Sequence, residues 1–269
     1  MKRLGVVGLG LIGGSLALAA RRAFPDCEIV GADMAPGPWP DGLVDQFFGM
    51  RDAVHLPTLP RCDLLVLAVP VRGIEALAAA ALANADVVTD VGSTKRRIAD
   101  VVRQNGEVGR FVPGHPMAGS PRNGLQHADP GLFEGANWFV CAEHAEPSAL
   151  TRVRALIEGV GARVWETTPE DHDRAVALTS HAVQVIASAL AVRGAGLREF
   201  QGPAFERMTR GAGGDPEMWL DVLSTNRDFV GFHLRELAAQ LLELTDQLTR
   251  DPESLRALLD AAREISSDN

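Results

Sequence analysis

Up to about residue 168 the apolar positions come in short unbroken runs, separated by longer segments rich in alanine and leucine. Leu4, Val6 and Val7 form the first run, and a helix-prone segment from Ser15 to Arg22 follows. Glu28–Asp33 reads as the next strand. Leu64–Ala68 is apolar throughout, the pattern of a parallel strand buried on both faces. Further strands are predicted at Val87–Asp90, Phe111–Pro113, Trp138–Cys141 and Arg163–Glu166, with helices at Gly73–Ala83, Lys95–Arg103 and Ser148–Glu158. This alternation implies a doubly wound parallel sheet.

After Pro169 the strand pattern stops. Helices are predicted at 170–194, 202–210, 216–224, 227–250 and 252–266, and Thr168-Pro169-Glu170 supplies the start signal for the first. Within 227–250, Val230, Leu234, Leu237, Leu241, Leu244 and Leu248 recur at alternating spacings of four and three. That seam fits a buried helix of a helical domain or a subunit interface, and the pattern leaves both open. The fold class expected is therefore α/β. A Rossmann-type doubly wound sheet spans 1–168, and an all-helical domain spans 169–269.

Composition narrows the setting. A chain of 269 residues suits two domains, each able to bury a core. A net charge of −9 and a pI near 5.3 argue against nucleic acid and anionic membrane surfaces as partners. Unbroken apolar runs fall short of the ~20 residues that span a bilayer. Met1 leads at once into a strand, so no signal peptide is expected. Cys27, Cys62 and Cys141 are scattered, with neither metal-ligand spacing nor a disulfide framework, which suits a reducing cytoplasm.

The first strand runs into Gly8-x-Gly10-x-x-Gly13, and a helix follows. Gly8 permits a tight turn, Gly10 lets the backbone approach a pyrophosphate, and Gly13 lets the helix pack on the strand. Free amides at the helix start, around Leu11 and Ile12, then face the anion. Asp33 closes the second strand 20 residues after Gly13, where a carboxylate holds a ribose diol. A carboxylate there repels a 2′-phosphate, and Met34-Ala35-Pro36-Gly37 offers no arginine to bind one. The cofactor expected is NAD.

Three more motifs carry chemistry. They are Asp90-Val-Gly-Ser93-Thr-Lys95, Gly114-His115-Pro116-Met117-Ala118-Gly119-Ser120, and Met208-Thr209-Arg210 followed by Asp215-Pro216-Glu217-Met218-Trp219. In open α/β sheets ligands sit beyond the carboxyl ends of the strands, which places Ser93 and His115 at the nicotinamide crevice. A serine and a histidine there suit nucleophilic hydrolysis or proton abstraction coupled to hydride transfer. The dinucleotide fingerprint selects the second, and no serine sits in a GxSxG elbow.

In their order and spacing these motifs resemble the prephenate/arogenate dehydrogenase family of tyrosine biosynthesis. The likeness covers nearly the whole chain and includes Leu67–Val71 and Leu132-Phe133-Glu134-Gly135. It implies an NAD-dependent oxidative decarboxylation of prephenate to 4-hydroxyphenylpyruvate, or of arogenate to tyrosine. It assigns the hydroxyl proton to His115 and its orientation to Ser93. It places Val69 and Pro70 against the cofactor and pairs Arg210 with the substrate's side-chain carboxylate. Trp219 would close the pocket from the partner subunit of a homodimer joined through the helical domain. Plainer roles compete: Ser93 as cap of the helix near Lys95, Arg210 as a solvated helix-end cation, and Trp219 as core.

Two stretches depart from the family pattern. Gly119-Ser120-Pro121-Arg122 lacks an acid that many members carry, and Ser180-His181-Ala182-Val183-Gln184 keeps one histidine and replaces another with Gln184. His181 and Gln184 are candidate substrate-binding residues, while His172 lines the pocket or is structural. The changes bear on substrate choice, not on reaction class. A β-hydroxyacid dehydrogenase would need a lysine on the long helix, yet the chain has only Lys2 and Lys95. A non-catalytic NAD sensor would need neither His115 nor Arg210. No metal is expected.

Overall fold

The structure is a computed structural model that describes residues 1–267 apart from 36, 38, 107 and 121. Pro36 and Pro121, which belong to two of the stretches read above, thus lie outside the described residues. Among the described residues nine strands and four α-helices make up the chain to Thr167, after which only helices follow. They are β1 (Arg3–Val7), α1 (Leu11–Ala23), β2 (Glu28–Asp33), β3 (Gln46–Gly49), β4 (Cys62–Leu67), α2 (Val71–Asn84), β5 (Ala85–Asp90) and α3 (Arg96–Gln104). Next come β6 (Phe111–Val112), β7 (Gly114–Pro116), β8 (Asn137–Cys141), α4 (Pro147–Gly159) and β9 (Arg163–Thr167).

Six parallel strands form one sheet in the order β3-β2-β1-β4-β5-β6. In β4, Leu64 and Val66 pack with the apolar faces of α1 and α4, while Leu65 and Leu67 pack with α2 and α3. Successive side chains of a strand point to opposite faces, so a strand covered on both sides must be apolar at every position.

The remaining strands correct the expectation of a single sheet. β7, β8 and β9 form a separate three-stranded sheet, with β7–β8 antiparallel and β8–β9 parallel. Pro113 has no amide to donate, so β6 pairs with β5 over only two residues before the chain leaves the main sheet. The Pro113 carbonyl accepts instead from the Cys141 amide at 2.8 Å, which turns the chain onto β8. β3 and β7 escape the sequence pattern because they are short and carry no alternation.

Beyond β9 a helix runs from Pro169 to Gly194 in three pieces: α5 (Pro169–Val176), a π-helical turn (Ala177–Ala182) and α6 (Val183–Gly194). The Thr168 side chain caps it, accepting from the Asp171 amide at 3.1 Å. Its most apolar window reaches a mean hydropathy of 1.7, enough by length and composition to cross a membrane. It also buries His172, Asp173 and His181 against the rest of the chain, as the central helix of a helical layer does. α7 (Pro203–Thr209), α8 (Pro216–Thr225), α9 (Arg227–Arg250) and α10 (Arg256–Ser267) complete the chain. Of the six seam residues on α9 only Val230 is buried, and Leu241 and Leu248 are more than half exposed. The seam is not covered by its own chain.

Candidate active site

The carboxyl ends of β1, β4 and β5 bring the glycine turn, Val69-Pro70 and Ser93 to one end of the sheet. Gly8 has φ +89°, and a Cβ there would lie 2.3 Å from the Ala68 carbonyl oxygen. A Cβ on Gly13 would lie 1.8 Å from the Gly8 carbonyl oxygen, so the close packing of α1 on β1 demands glycine. Nothing lies within 4 Å of a Cβ placed on Gly10, which leaves the face of the turn open. α1 has no side-chain cap and no acid in its first turn. Its leading amides, from Leu11 to Gly13, are therefore available to an anion. The Asp33 carboxylate accepts from the amides of Leu9 at 2.6 Å and Ala35 at 2.8 Å, which holds it beside the turn. Val69 touches the turn, and Pro70 starts α2. This is a fitting cradle for a dinucleotide.

At the end of β5 a buried ion pair organises the second half of the site. The Lys95 ammonium bonds the Asp90 carboxylate and donates to the Gly114 carbonyl at 2.6 Å. Asp90 also accepts from the amides of Gly92 at 2.7 Å and Gly114 at 3.3 Å. Burial raises the Asp90 pKa, with Lys95 and the two amides pulling the other way. The pair pins the residue just before His115.

His115 is half-buried, and its Nδ1 lies 2.9 Å from His172 Nε2. His172 Nδ1 in turn lies 2.8 Å from Asp173 Oδ1. Burial, His172 and Lys95 hold the His115 pKa well below the usual histidine value, so its imidazole is neutral at neutral pH. Burial also lowers His172, against the pull of Asp173. Asp173 is fully buried and accepts from the amides of Lys95 at 2.7 Å and Arg96 at 3.0 Å. This corrects the capping role considered for Ser93: the start of α3 is capped by a carboxylate 78 positions away. Ser93 stays half-buried just past the strand end.

Asn226 Nδ2 donates to the Asp173 carbonyl at 2.7 Å and lies 3.2 Å from His181 Nδ1. Burial pushes the His181 pKa down to about 4. The His181 ring stands 6.3 Å from the Trp219 ring of the same chain, edge to face. Gln184 is buried, and its Oε1 would lie 3.3 Å from a Cβ on Gly211. Arg210 is exposed at the start of that same turn. Asn123 Nδ2 donates to Asp215 Oδ2 at 3.3 Å, which ties the loop after His115 to the start of α8. The structure thus joins half-buried His115 and buried His172 and His181 into one cluster, with Gln184 and Trp219 along its helical side and Arg210 exposed on the adjoining turn.

The sequence pattern passed over Lys95, Asp173 and Asn226 and left His172 undecided. Acidic and imidazole side chains opening an otherwise apolar helix, in Glu170-Asp-His-Asp173, were the available signal. A crevice of about 790 Å³ lies between α3 and the start of α9 and includes none of the predicted site residues. Its arginines are largely spoken for: Arg72 pairs with Asp221, Arg96 with Asp228, Arg97 with Glu75 and Arg103 with Asp100. The three cysteines are free and buried, and burial pushes the Cys62 thiol up to about 11 and Cys141 to about 12. Among the described residues no group of three or more His, Cys, Asp or Glu side chains is arranged to hold a metal ion.

A model described as the nucleotide-binding domain of prephenate dehydrogenase matches residues 16–166. A second, described as the dimerization domain of prephenate dehydrogenase, matches residues 168–261. The chain belongs to the prephenate dehydrogenase family. Within that family, the prephenate dehydrogenase of Lactococcus lactis subsp. cremoris is 28% identical over 282 residues, 98% of this chain and 77% of the relative. A crystal structure of the Aquifex aeolicus prephenate dehydrogenase, in complex with hydroxyphenyl propionate and NAD+, superposes with a TM-score of 0.84 at 26% identity. It covers 100% of this chain and 97% of that one. Synechocystis arogenate dehydrogenase superposes with a TM-score of 0.80 at 27% identity, over 99% of this chain and 100% of that one.

Proposed function

We propose that this chain catalyses the NAD-dependent oxidative decarboxylation of prephenate to 4-hydroxyphenylpyruvate in tyrosine biosynthesis. Its carrying observation is the imidazole of His115, held 2.9 Å from His172 next to the end of β5, in a chain whose glycine turn is open to a dinucleotide. Arogenate is the second candidate substrate. The neutral, buried Gln184 and the likeness to an arogenate dehydrogenase favour it.

The turn from Gly8 to Gly13, with Leu11 and Ile12, would hold the cofactor pyrophosphate, and Asp33 the ribose diol. Val69, Pro70 and Ser93 would border the nicotinamide. Bound NAD supplies the hydride acceptor. His115 accepts the ring hydroxyl proton through Nε2 as hydride leaves the same carbon, and Ser93 orients that hydroxyl. Loss of the ring carboxylate as carbon dioxide leaves its electron pair in the ring, which becomes a phenolate. The imidazolium returns its proton to that oxygen, so protons and electrons balance. Aromatisation makes the step irreversible. Arg210 anchors the side-chain carboxylate bidentately, and His181, Gln184 and Trp219 complete the pocket.

We assign residues 1–168 to the dinucleotide domain and 169–269 to the helical domain. A homodimer through the helical domain is supported by the second family match and by the uncovered leucines of α9. Three free thiols suit a cytoplasmic location.

The direct test is absorbance of reduced nicotinamide after mixing protein and NAD with prephenate, then with arogenate. Silence with both would overturn the proposal. Two variants check the assigned roles. Arg210→Gln is expected to raise KM for the diene by roughly 10- to 100-fold with kcat little changed. A fall in kcat alone would assign Arg210 elsewhere. Asp33→Ser is expected to weaken NAD by about tenfold and to narrow its advantage over NADP, read as two dissociation constants.

A further inference from the structure

Two side chains, His172 and Asp173, line up behind His115, and their hydrogen-bond chemistry leaves one proton arrangement. A carboxylate only accepts, so the 2.8 Å contact from Asp173 Oδ1 places a proton on His172 Nδ1. Neutral His172 then carries a lone pair on Nε2. The 2.9 Å contact from that atom therefore places a proton on His115 Nδ1. The lone pair of His115 is left on Nε2, the nitrogen with no partner among the described residues.

We propose that His172 and Asp173 are positioning residues for the oxidation, holding His115 as the Nδ1–H tautomer and supporting the imidazolium that forms when it takes a proton. This rests on the reading of His115 as proton acceptor. It adds two residues that act through His115 and decide which imidazole nitrogen is basic.

The surroundings explain why such support is needed. A protonated His172 would disfavour a second cation at His115, and Lys95 does so from the start of α3, so His172 serves as a neutral acceptor. Asp90, the nearest other carboxylate in the cluster, is committed to Lys95 and two amides. On the remaining side Phe139 of β8 packs its ring 5.9 Å from His172, adding bulk but no charge. Arg96 stands next to Asp173 and donates its amide to it. Asp173 is thus the carboxylate in line with the base. Against the effect of burial, His172 and the amides of Arg96 and Lys95 hold its carboxyl below the ordinary range, so it stays an acceptor. The same carboxylate caps α3, which couples the alignment of His115 to the docking of α5 on the nucleotide domain.

The experiment uses the full chain with nitrogen-labelled histidine and reads imidazole tautomers by long-range nitrogen–proton correlation, without substrate. Wild-type His115 is expected to show protonated Nδ1 and bare Nε2; the opposite tautomer would overturn the proposal. His172→Phe is expected to lower kcat by about 10²-fold or more, as loss of the orienting group does in hydrolytic triads, with both KM values nearly unchanged. His172→Gln, which keeps an acceptor but no titratable group, is expected to recover about tenfold of that loss. An unaltered kcat in His172→Phe would also overturn it. The wild-type tautomer is read whether or not either diene is turned over, so failure of this proposal is distinct from failure of the substrate reading.

Discussion

Exchanging His115 for asparagine is expected to cut kcat by about 10²- to 10⁴-fold, the range of general-base catalysis, while the dissociation constant for NAD stays within about twofold. Asparagine fills similar space and can hydrogen-bond, but it cannot take a proton. Steady-state kinetics beside a direct binding titration separates the two quantities. Unchanged turnover would remove His115 from the mechanism. The same side chain fixes a pH dependence. His115 works as the free base, and its pKa lies below the usual histidine value of about 6.5. Turnover is therefore expected to be flat through neutral pH and to fall on the acid side as His115 takes up a proton. An acid limb centred above the ordinary histidine value would contradict the burial of this imidazole.

Lys95→Met should show the largest loss of stability, about 3–5 kcal/mol, because it strands a buried carboxylate. Asp90 would keep only two amide donors, from Gly92 and Gly114. Part of the loss is recovered as Asp90 takes up a proton, so the variant is expected to be least impaired at low pH. For a domain of this size the melting temperature should drop by on the order of 10 °C. Adding Asp90→Leu removes the stranded charge and is expected to restore most of the stability, though not the hold of Lys95 on the Gly114 carbonyl. Chemical denaturation of the three proteins checks this. A single variant within about 1 kcal/mol of wild type would mean that the pair is not acting as a buried salt bridge.

Local pattern carried much of the fold. The glycine turn, the acid at the end of β2 and the fully apolar β4 are each visible in a handful of neighbouring residues, because turn geometry and two-sided burial impose residue types directly. Helix α9 occupies the predicted 227–250, since a seam of four and three spacings admits only a helix. What failed was strand membership. Trp138–Cys141 and Arg163–Glu166 are strands, as expected, but the first pairs with β7 and the second with the first, outside the main sheet. Sheet assignment depends on where Pro113 turns the chain, and no strand carries that information in its own composition.

The site divides the same way. Gly8, Gly13, Asp33 and Ser93 stand at or just past the carboxyl ends of parallel strands, because topology alone brings those ends together, whereas His115 sits on β7 of the second sheet, tied to the end of β5 through the Gly114–Asp90 contact. Their partners were invisible. Lys95 looks like a surface cation at a helix start, yet it is wholly buried on Asp90 and the Gly114 carbonyl. Asp173 looks like a first-turn acid of its own helix, yet it caps α3 and orients His172.

By itself the amino-acid order determined the nucleotide half, the helical half and the imidazole proposed as the base. Such features follow from short-range periodicity and from residue types that a single turn or strand end requires. Only the folded chain decided which nitrogen of that imidazole is left bare and which buried charges hold it in place. Those depend on contacts of about 3 Å between residues 57 to 78 positions apart, which are created when α5 docks on the sheet and leave no periodic trace in the sequence.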